Sequence, residues 1–532
     1  MRVPIGFFVL VAAAIIAAWW WLGAPVAMPP APFSAGQKLT CVSYAPFRGT
    51  QNPFDPSFRV ETSQIEDDLA RLAPLTDCVR TYSTMNGLDQ VPAIAARHGL
   101  KVIQGLWLGG DLAFNQRDTA AVIALAKQYP QVIQAIVVGN EVLLRGEMAA
   151  PDLIATIRRV KAEVAQPVTY ADVWEFWLRY REVAAAVDFV TVHILPYWED
   201  WPIPARNAAG HIAEKRREVA AVFPGKEILI GETGWPSAGR MREGALPSPA
   251  NQARVLHEIL TIAKAENFRV NLIEAFDQPW KRALEGTVGG HWGLLDADGR
   301  TPKFAWGQPV SNHPAWRLQA AGGVVLAALI FGAAFTARRS AGSESLRAWA
   351  WIAAIALSAG ILIGWTAENA ILESLGVGGW VLSLALTALA VAVPLAAAAA
   401  YPRGIAAPSF AATLGHTRTA APLKRVLGFL LIAVCVIAVQ AALGFVFNPR
   451  YRDFPFAPLT AAALPFIIAR RAPRAGVRQS AELAMAAVLA LSAVYNVLNE
   501  SFANWQALWF CAVLAGLAFT LLQARDAPGS TA

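Results

Sequence analysis

Two glutamates stand where a carboxylate can do chemistry. Glu141 closes the run Val137-Val138-Gly139-Asn140-Glu141, and Glu232 closes Ile228-Leu229-Ile230-Gly231-Glu232. Each follows directly on an apolar stretch of strand character. Two carboxyls facing each other across a cleft suit cleavage of a glycosidic bond: one, kept protonated, donates to the leaving oxygen, and the other attacks the anomeric carbon or activates water. The plainer reading is that both are caps, because acids are common at helix N-termini. Trp107, Trp174, Trp177, Trp198, Trp201, Trp235, Trp280 and Trp292 fall near predicted strand ends. Aromatic faces stack on the C–H faces of glucose, so some should form subsites while the rest pack the core; Trp198 and Trp280 are the ones expected against sugar. Arg80 is open to two readings, holding the carboxylates in their charged state or making a structural ion pair. His193, inside an apolar strand, reads as a hydrogen-bonded core histidine.

Such carboxyls need a scaffold that opposes them. Predicted strands run over Leu39–Ala45, Cys78–Ser83, Lys101–Trp107, Ile133–Asn140, Pro167–Ala171, Phe189–Leu195, Glu227–Glu232 and Val270–Phe276. Several are continuously apolar, as strands buried on both faces should be. Helical patterns over Ile65–Leu75, Thr119–Tyr129, Pro151–Val164 and Pro249–Ala265 lie between them. Eight such pairs in residues 39–312 predict an α/β fold, a (β/α)₈ barrel of near the usual ~250 residues. There chemistry sits at the C-terminal ends of strands, and the fourth and seventh strands lie roughly across the barrel. A doubly wound open sheet is the alternative.

Gly139-Asn140-Glu141 and Gly231-Glu232-Thr233-Gly234-Trp235-Pro236-Ser237 resemble the two signatures of glycoside hydrolase family 17, the β-1,3-glucanases and β-1,3-glucanosyltransferases. Further matches are Ser43-Tyr44-Ala45-Pro46-Phe47, Val79-Arg80-Thr81-Tyr82, Glu274 to Lys281 and His291-Trp292-Gly293-Leu294, in the family's order. The resemblance implies a retaining enzyme in which Glu141 is the general acid/base and Glu232 the nucleophile. It further implies that Asn140 bonds the sugar 2-hydroxyl, that Tyr197 lies near the nucleophile, and that Lys281, with Glu285 as a less secure match, stands near the catalytic centre. Tyr44, Arg80, Tyr82, Trp198, Trp235 and Trp280 complete the expected substrate site. The Asp277-Gln278-Pro279-Trp280-Lys281 segment departs from the plant enzymes and is closer to fungal and bacterial members. As a cleft residue Glu232 is expected to contribute little to packing, so that Glu232→Ala would lose turnover and keep the fold.

The 532 residues are 55% hydrophobic and 16% charged, against about 25% charged in soluble proteins. That excludes a disordered chain and points to a membrane protein with a soluble part. Residues 1–27 read as an uncleaved anchor, with a signal peptide as the rival, and Trp19, Trp20 and Trp21 as an interfacial aromatic belt. Residues 28–38 are a Pro-rich linker, and 313–532 hold about seven apolar runs. The fifth, 455–469, contains Pro455, Pro458 and Pro465 and is a re-entrant candidate. Alternate loops in this half carry Arg338, Arg339, Arg347, Arg403, Arg418, Lys424, Arg425, Arg470, Arg471, Arg474 and Arg478; the opposite loops carry only Arg450 and Arg452 as basic residues. By the positive-inside rule the barrel lies outside the cytoplasm, and Arg2 before the first anchor gives the same answer.

The net charge of +7 belongs to the helical half: His313–Ala532 has fifteen basic and seven acidic residues. The barrel region shows no basic patch with interleaved aromatics, which argues against nucleic acid. Cys41 and Cys78 begin adjacent predicted strands and are either disulfide-bonded or two buried thiols. The two-carboxylate chemistry requires no metal or cofactor. The plan resembles bacterial membrane-anchored family members linked to periplasmic or cyclic β-glucan synthesis, in the inner membrane. It implies a β-1,3-glucan transglycosylase/endo-glucanase whose partners are the glucan, the lipid bilayer and a membrane glucan synthase. The rival is a non-catalytic subunit that only grips the polymer.

Overall fold

The structure is a computed structural model and describes residues 2–34, 36–338, 346–415, 422–469 and 480–523. Arg339, Arg418, Arg470, Arg471, Arg474 and Arg478, used above for topology, lie outside the described residues. The chain divides into two compact units: Val26–Gly239 with Gly244–Val310, and Met1–Pro25 with Arg240–Glu243 and Ser311–Ala532.

The first unit is a closed barrel of eight parallel strands in sequential order, which excludes the open doubly wound sheet. The strands are β1 (Cys41–Ser43), β2 (Cys78–Arg80), β3 (Lys101–Leu106), β4 (Ile133–Asn140), β5 (Val168–Val173), β6 (Val190–His193), β7 (Ile228–Thr233) and β8 (Val270–Leu272). Successive side chains of a strand point to opposite faces, and both faces are covered here: Ile136, Val137 and Val138 of β4 are all buried. Local chemistry fixes the helix starts. Asp111 accepts from the backbone N–H groups of Ala113 and Phe114 to open Leu112–Gln128, and Ser248 accepts from Asn251 N–H to open Pro249–Ala265, satisfying donors that lack intrahelical partners.

Cys41 and Cys78 form a disulfide between the starts of β1 and β2. It closes a loop with a sequence separation of 37, for which chain entropy gives a stabilisation of about 3–4 kcal/mol. The double variant Cys41→Ala/Cys78→Ala should therefore melt several degrees lower than the oxidised chain in detergent. A Tm unchanged both by the substitutions and by dithiothreitol would contradict this.

Among the described residues, seven helices of the second unit are long and apolar enough to cross a membrane, the N-terminal one included. Six lie after the barrel: Trp316–Arg338, Leu346–Glu373, Gly376–Arg403, Pro422–Phe447, Ser480–Glu500 and Trp505–Leu522. The fifth apolar run is different. It forms Phe456–Ile468, a 13-residue helix of about 20 Å, too short for a ~30 Å hydrocarbon layer, and largely buried by its neighbours. The expected aromatic belt is also corrected at one position: Trp20 and Trp21 are exposed, but Trp19 is fully buried against Trp365.

Candidate active site

Glu141 owes its position to two backbone irregularities. Gly139 has φ +84° and Glu141 itself φ +54°, the left-handed region that costs a non-glycine residue of order 1–3 kcal/mol. A Cβ on Gly139 would press on Leu108 and Tyr170 at 3.3 Å. The β4–β5 register shifts over the same stretch, and the Glu141 side chain leaves the sheet at its C-terminal rim to meet His193 of β6 at 2.7 Å.

Glu232 approaches from β7. Its Oε1 accepts from Tyr82 Oη at 2.8 Å and from Arg80 Nη1 at 3.3 Å. Arg80, fully buried at the end of β2, also donates to Gly231 O at 2.7 Å and, through Nη2, to Asn140 Oδ1 at 2.6 Å. That second bond fixes the Asn140 amide and leaves Nδ2 as its donor. Arg80 is thus a structural anchor and the ion-pair partner of Glu232. Tyr82 donates its one hydrogen to Glu232 or to Ser43 Oγ, also 2.8 Å away, and Asn271 Nδ2 in turn reaches Ser43 Oγ. Glu232 is only 5% exposed. The expectation of an exposed, packing-neutral carboxylate is corrected: it neutralises a buried guanidinium.

His193 is the core histidine expected, but it sits between the two acids. Nδ1 is 2.7 Å from Glu141 Oε1, and Nε2 is 3.6 Å from Glu232 Oε1 and 3.2 Å from Arg80 Nη1. One ligand atom from each of Glu141, His193 and Glu232 lies within 4.8 Å of the others, the reach of a cation site. The guanidinium of Arg80 already supplies positive charge against two of the three, which opposes a further cation there. Burial works to raise the Glu141 carboxyl, but the contact with His193 and the charges of Arg145 and Arg80 outweigh it and hold the group below its ordinary value. The free site alone therefore does not keep this carboxyl protonated.

Lys281 joins the same cluster of charges. Its Nζ donates to Glu274 Oε1 at 2.8 Å. Burial pushes Glu274 up to about 7 against the pull of Lys281, with Glu285 and Glu232 adding in the same direction. Lys281 is held above its ordinary value despite burial, by Glu274, Glu285 and Glu232; facing three acids, it is the securely charged partner. Burial likewise raises Glu285, opposed by Lys281 and reinforced by Glu141 and Glu232. Folding thus raises Glu274 from 4.5 to about 7. The folded chain binds more proton in that window, and stability falls as pH rises through it. In Glu274→Gln the decline in Tm between pH 5 and 7 should be shallower than in wild type. An identical slope would mean that Glu274 does not titrate in that window.

The aromatic residues divide. Trp198 and Trp280 are half-buried; Trp198 stacks on Trp292 at 6.4 Å, and Trp280 meets Phe54 edge-on at 5.6 Å with its Nε1 donating to Gln278. Four expected contact residues are corrected, the first being Arg80, which is 1% exposed. Tyr44, Tyr197 and Trp235 are at most 1% exposed, so no ring face is open to a sugar. Tyr44 donates to Asp68 at 3.1 Å, Trp235 donates to Leu246 O, and Tyr197 packs between Trp198, Trp235 and Trp292. Trp177 is likewise core, donating to Thr191 O. Ser43, Asn271 and Glu274 belong to the site without standing out in the sequence, although Ser43 and Glu274 lie within the motifs quoted above. His193 reads from sequence as core alone.

Residues 41–293 match the family model described as the BtgE/BtgC glycoside hydrolase domain. The matched residues run from β1 to β8 and include both Glu141 and Glu232. A glucan 1,3-beta-glucosidase of Arthroderma benhamiae is 28% identical over 270 residues, covering 46% of this chain and 84% of that protein. A glucan 1,3-beta-glucosidase of Saccharomyces cerevisiae is 27% identical, covering 44% and 82%. Among solved structures, the glycoside hydrolase family 17 β-1,3-glucanosyltransferase of Rhizomucor miehei is 26% identical, with a TM-score of 0.45, covering 51% of this chain and 97% of that one. In this barrel the two segments that end in Glu141 and Glu232 bring their carboxylate oxygens within 4.8 Å.

Proposed function

We propose that the barrel is a retaining β-1,3-glucan transglycosylase with endo-glucanase activity. One observation carries the retaining mechanism: carboxylate oxygens of Glu141 and Glu232 come within 4.8 Å. Retaining pairs stand about 5–5.5 Å apart, whereas inverting pairs leave about 6.5–9.5 Å for a water. Glu232, aimed by Tyr82 and Arg80, attacks the anomeric carbon while Glu141 protonates the leaving oxygen. A sugar covering the cleft excludes water from Glu141 and favours its protonated form. The Nδ2 of Asn140, left as the donor by the Arg80 bond to Oδ1, is the group assigned to the 2-hydroxyl in this reading. In the second step Glu141 takes a proton from an acceptor hydroxyl or from water, and the glucan leaves Glu232.

The names of the curated relatives support β-1,3-glucan as the substrate class. The helical unit favours transfer over digestion, because an anchored enzyme is suited to glucan emerging from a membrane synthase, which would be its partner beside the lipid bilayer. Arg2 and the basic loop that begins at Arg338 favour a barrel outside the cytoplasm, in the periplasm of a bacterial inner-membrane protein. Only the first two spans enter this assignment, so the short Phe456–Ile468 helix does not affect it. The Cys41–Cys78 disulfide agrees with an oxidising compartment.

Laminari-oligosaccharides given to the detergent-solubilised chain test the reading. Products longer than the substrate are expected, and products only shorter than it would reject transfer. A 2-fluoro-glucosyl donor should label a peptide containing Glu232. No label, with a control enzyme labelled in parallel, would favour the polymer-gripping role.

A further inference from the structure

The two-carboxylate mechanism above leaves His193 without a task, yet this fully buried imidazole contacts the acid/base directly. The sheet makes room for it. A Cβ on Gly231, just before the nucleophile, would lie 2.3 Å from Thr191 Cγ2 and 3.1 Å from the His193 ring. The signature glycine next to one carboxylate therefore clears space for the side chain that touches the other.

The hydrogen on the ring can be assigned from its neighbours. Arg80 Nη1 lies 3.2 Å from Nε2, and a guanidinium only donates. The ionised Glu141 carboxylate only accepts, so Nδ1 carries a hydrogen and points it to Oε1 at 2.7 Å. With Oε1 committed as an acceptor, the proton that Glu141 exchanges resides on its other oxygen.

We propose that His193 is a positioning residue for the acid/base: it fixes the Glu141 carboxyl through Oε1 so that Oε2 alone gives and takes the catalytic proton. This rests on the retaining reading above. In the first step a bond forms between Glu232 and the anomeric carbon, the glycosidic C–O bond breaks, and the proton on Oε2 passes to the departing oxygen. In the second, Oε2 removes the proton of the acceptor hydroxyl as its oxygen bonds the anomeric carbon and the ester to Glu232 breaks. Donation from Nδ1–H stabilises the ionised carboxylate, as the depressed Glu141 value agrees. The other charged groups facing Glu141 are Arg80 on β2, Arg145 after β4, Asp172 on β5, Glu232 on β7 and Glu285 in the helix Arg282–Gly289. All remain when His193 alone is changed.

The test uses the full chain in detergent and two donors, laminaritetraose and 2,4-dinitrophenyl β-laminaribioside, whose leaving group departs without acid help. His193→Phe and His193→Ala remove the donor with and without refilling its volume; His193→Asn keeps an amide donor near the place of Nδ1. For the first two, kcat/KM on laminaritetraose should fall about 10- to 100-fold, part of the 10²–10⁴ that general acid catalysis supplies. On the dinitrophenyl donor it should change less than about threefold. The basic limb of the kcat/KM profile, set by loss of the Glu141 proton, should move to higher pH, and His193→Asn should stay near wild type on both donors. Equal losses on the two donors with an unmoved basic limb, or His193→Asn as impaired as His193→Phe, overturns the proposal alone. A wild-type chain inert to both donors sinks the glucanase reading and this inference with it.

Discussion

Glu232→Gln should be folded and nearly inert, with kcat on laminari-oligosaccharides lowered on the order of 10⁵-fold, or about 7 kcal/mol of barrier. The loss is this large because the neighbouring carboxyls have other partners, Glu285 facing Lys281. Glu274 is tied to Lys281, and Glu141 is engaged by His193. Gln is chosen over Ala for a reason visible in the site. Arg80 is buried and uses Glu232 as its counter-charge, and removing one partner of such a pair leaves an uncompensated charge that costs several kcal/mol. The amide of Gln keeps an oxygen for Tyr82 and Arg80, so the loss of turnover is separated from loss of the fold. Glu232→Ala should melt at a lower temperature than Glu232→Gln while being no more active. Substantial residual turnover in the Gln variant, after exclusion of deamidation by mass measurement, would remove Glu232 from the nucleophile's role.

How much of this is legible without the structure follows from the range of each signal. The strand Ile133–Asn140 is placed to the residue because a continuous apolar run bounded by a polar motif is local information. The ends of β1 and β8 are not: both stop after three residues, and Ala275 beyond β8 donates to Ser43 O of β1 outside any strand. Motif position gives the rim of the barrel but not which way a ring points. Tyr44, Tyr197 and Trp235 lie in the right loops and turn inward, because each has a buried partner that local sequence does not reveal. His193 shows the limit most clearly. Its apolar setting suggests a core residue, and it is one; its partner Glu141 is 52 residues away, and only closure of the barrel brings them together. Glu274 is hidden in the same way, since the ammonium it faces and the burial that raises it are both tertiary.

Glu141→Ala should divide the reaction by step and by leaving group. On laminaritetraose the loss is expected to be about 10²–10⁴-fold, the contribution of a positioned general acid. On 2,4-dinitrophenyl β-laminaribioside kcat/KM should stay within about an order of magnitude of wild type, because glycosylation then needs no proton. Turnover should nevertheless stall, since nothing activates the acceptor and the glycosyl-enzyme accumulates. Azide distinguishes the two carboxyls by stereochemistry. In Glu141→Ala it should attack the intermediate from the face the acid/base occupied and release the β-glycosyl azide. In Glu232→Ala it should enter where the nucleophile stood and give the α-glycosyl azide. Opposite anomers from the two variants require that the carboxyls act on opposite faces of one anomeric carbon, which an inverting pair cannot reproduce. The same anomer from both, or equal losses on the two donors for Glu141→Ala, would mean that the roles are misassigned even though the oxygens lie within 4.8 Å.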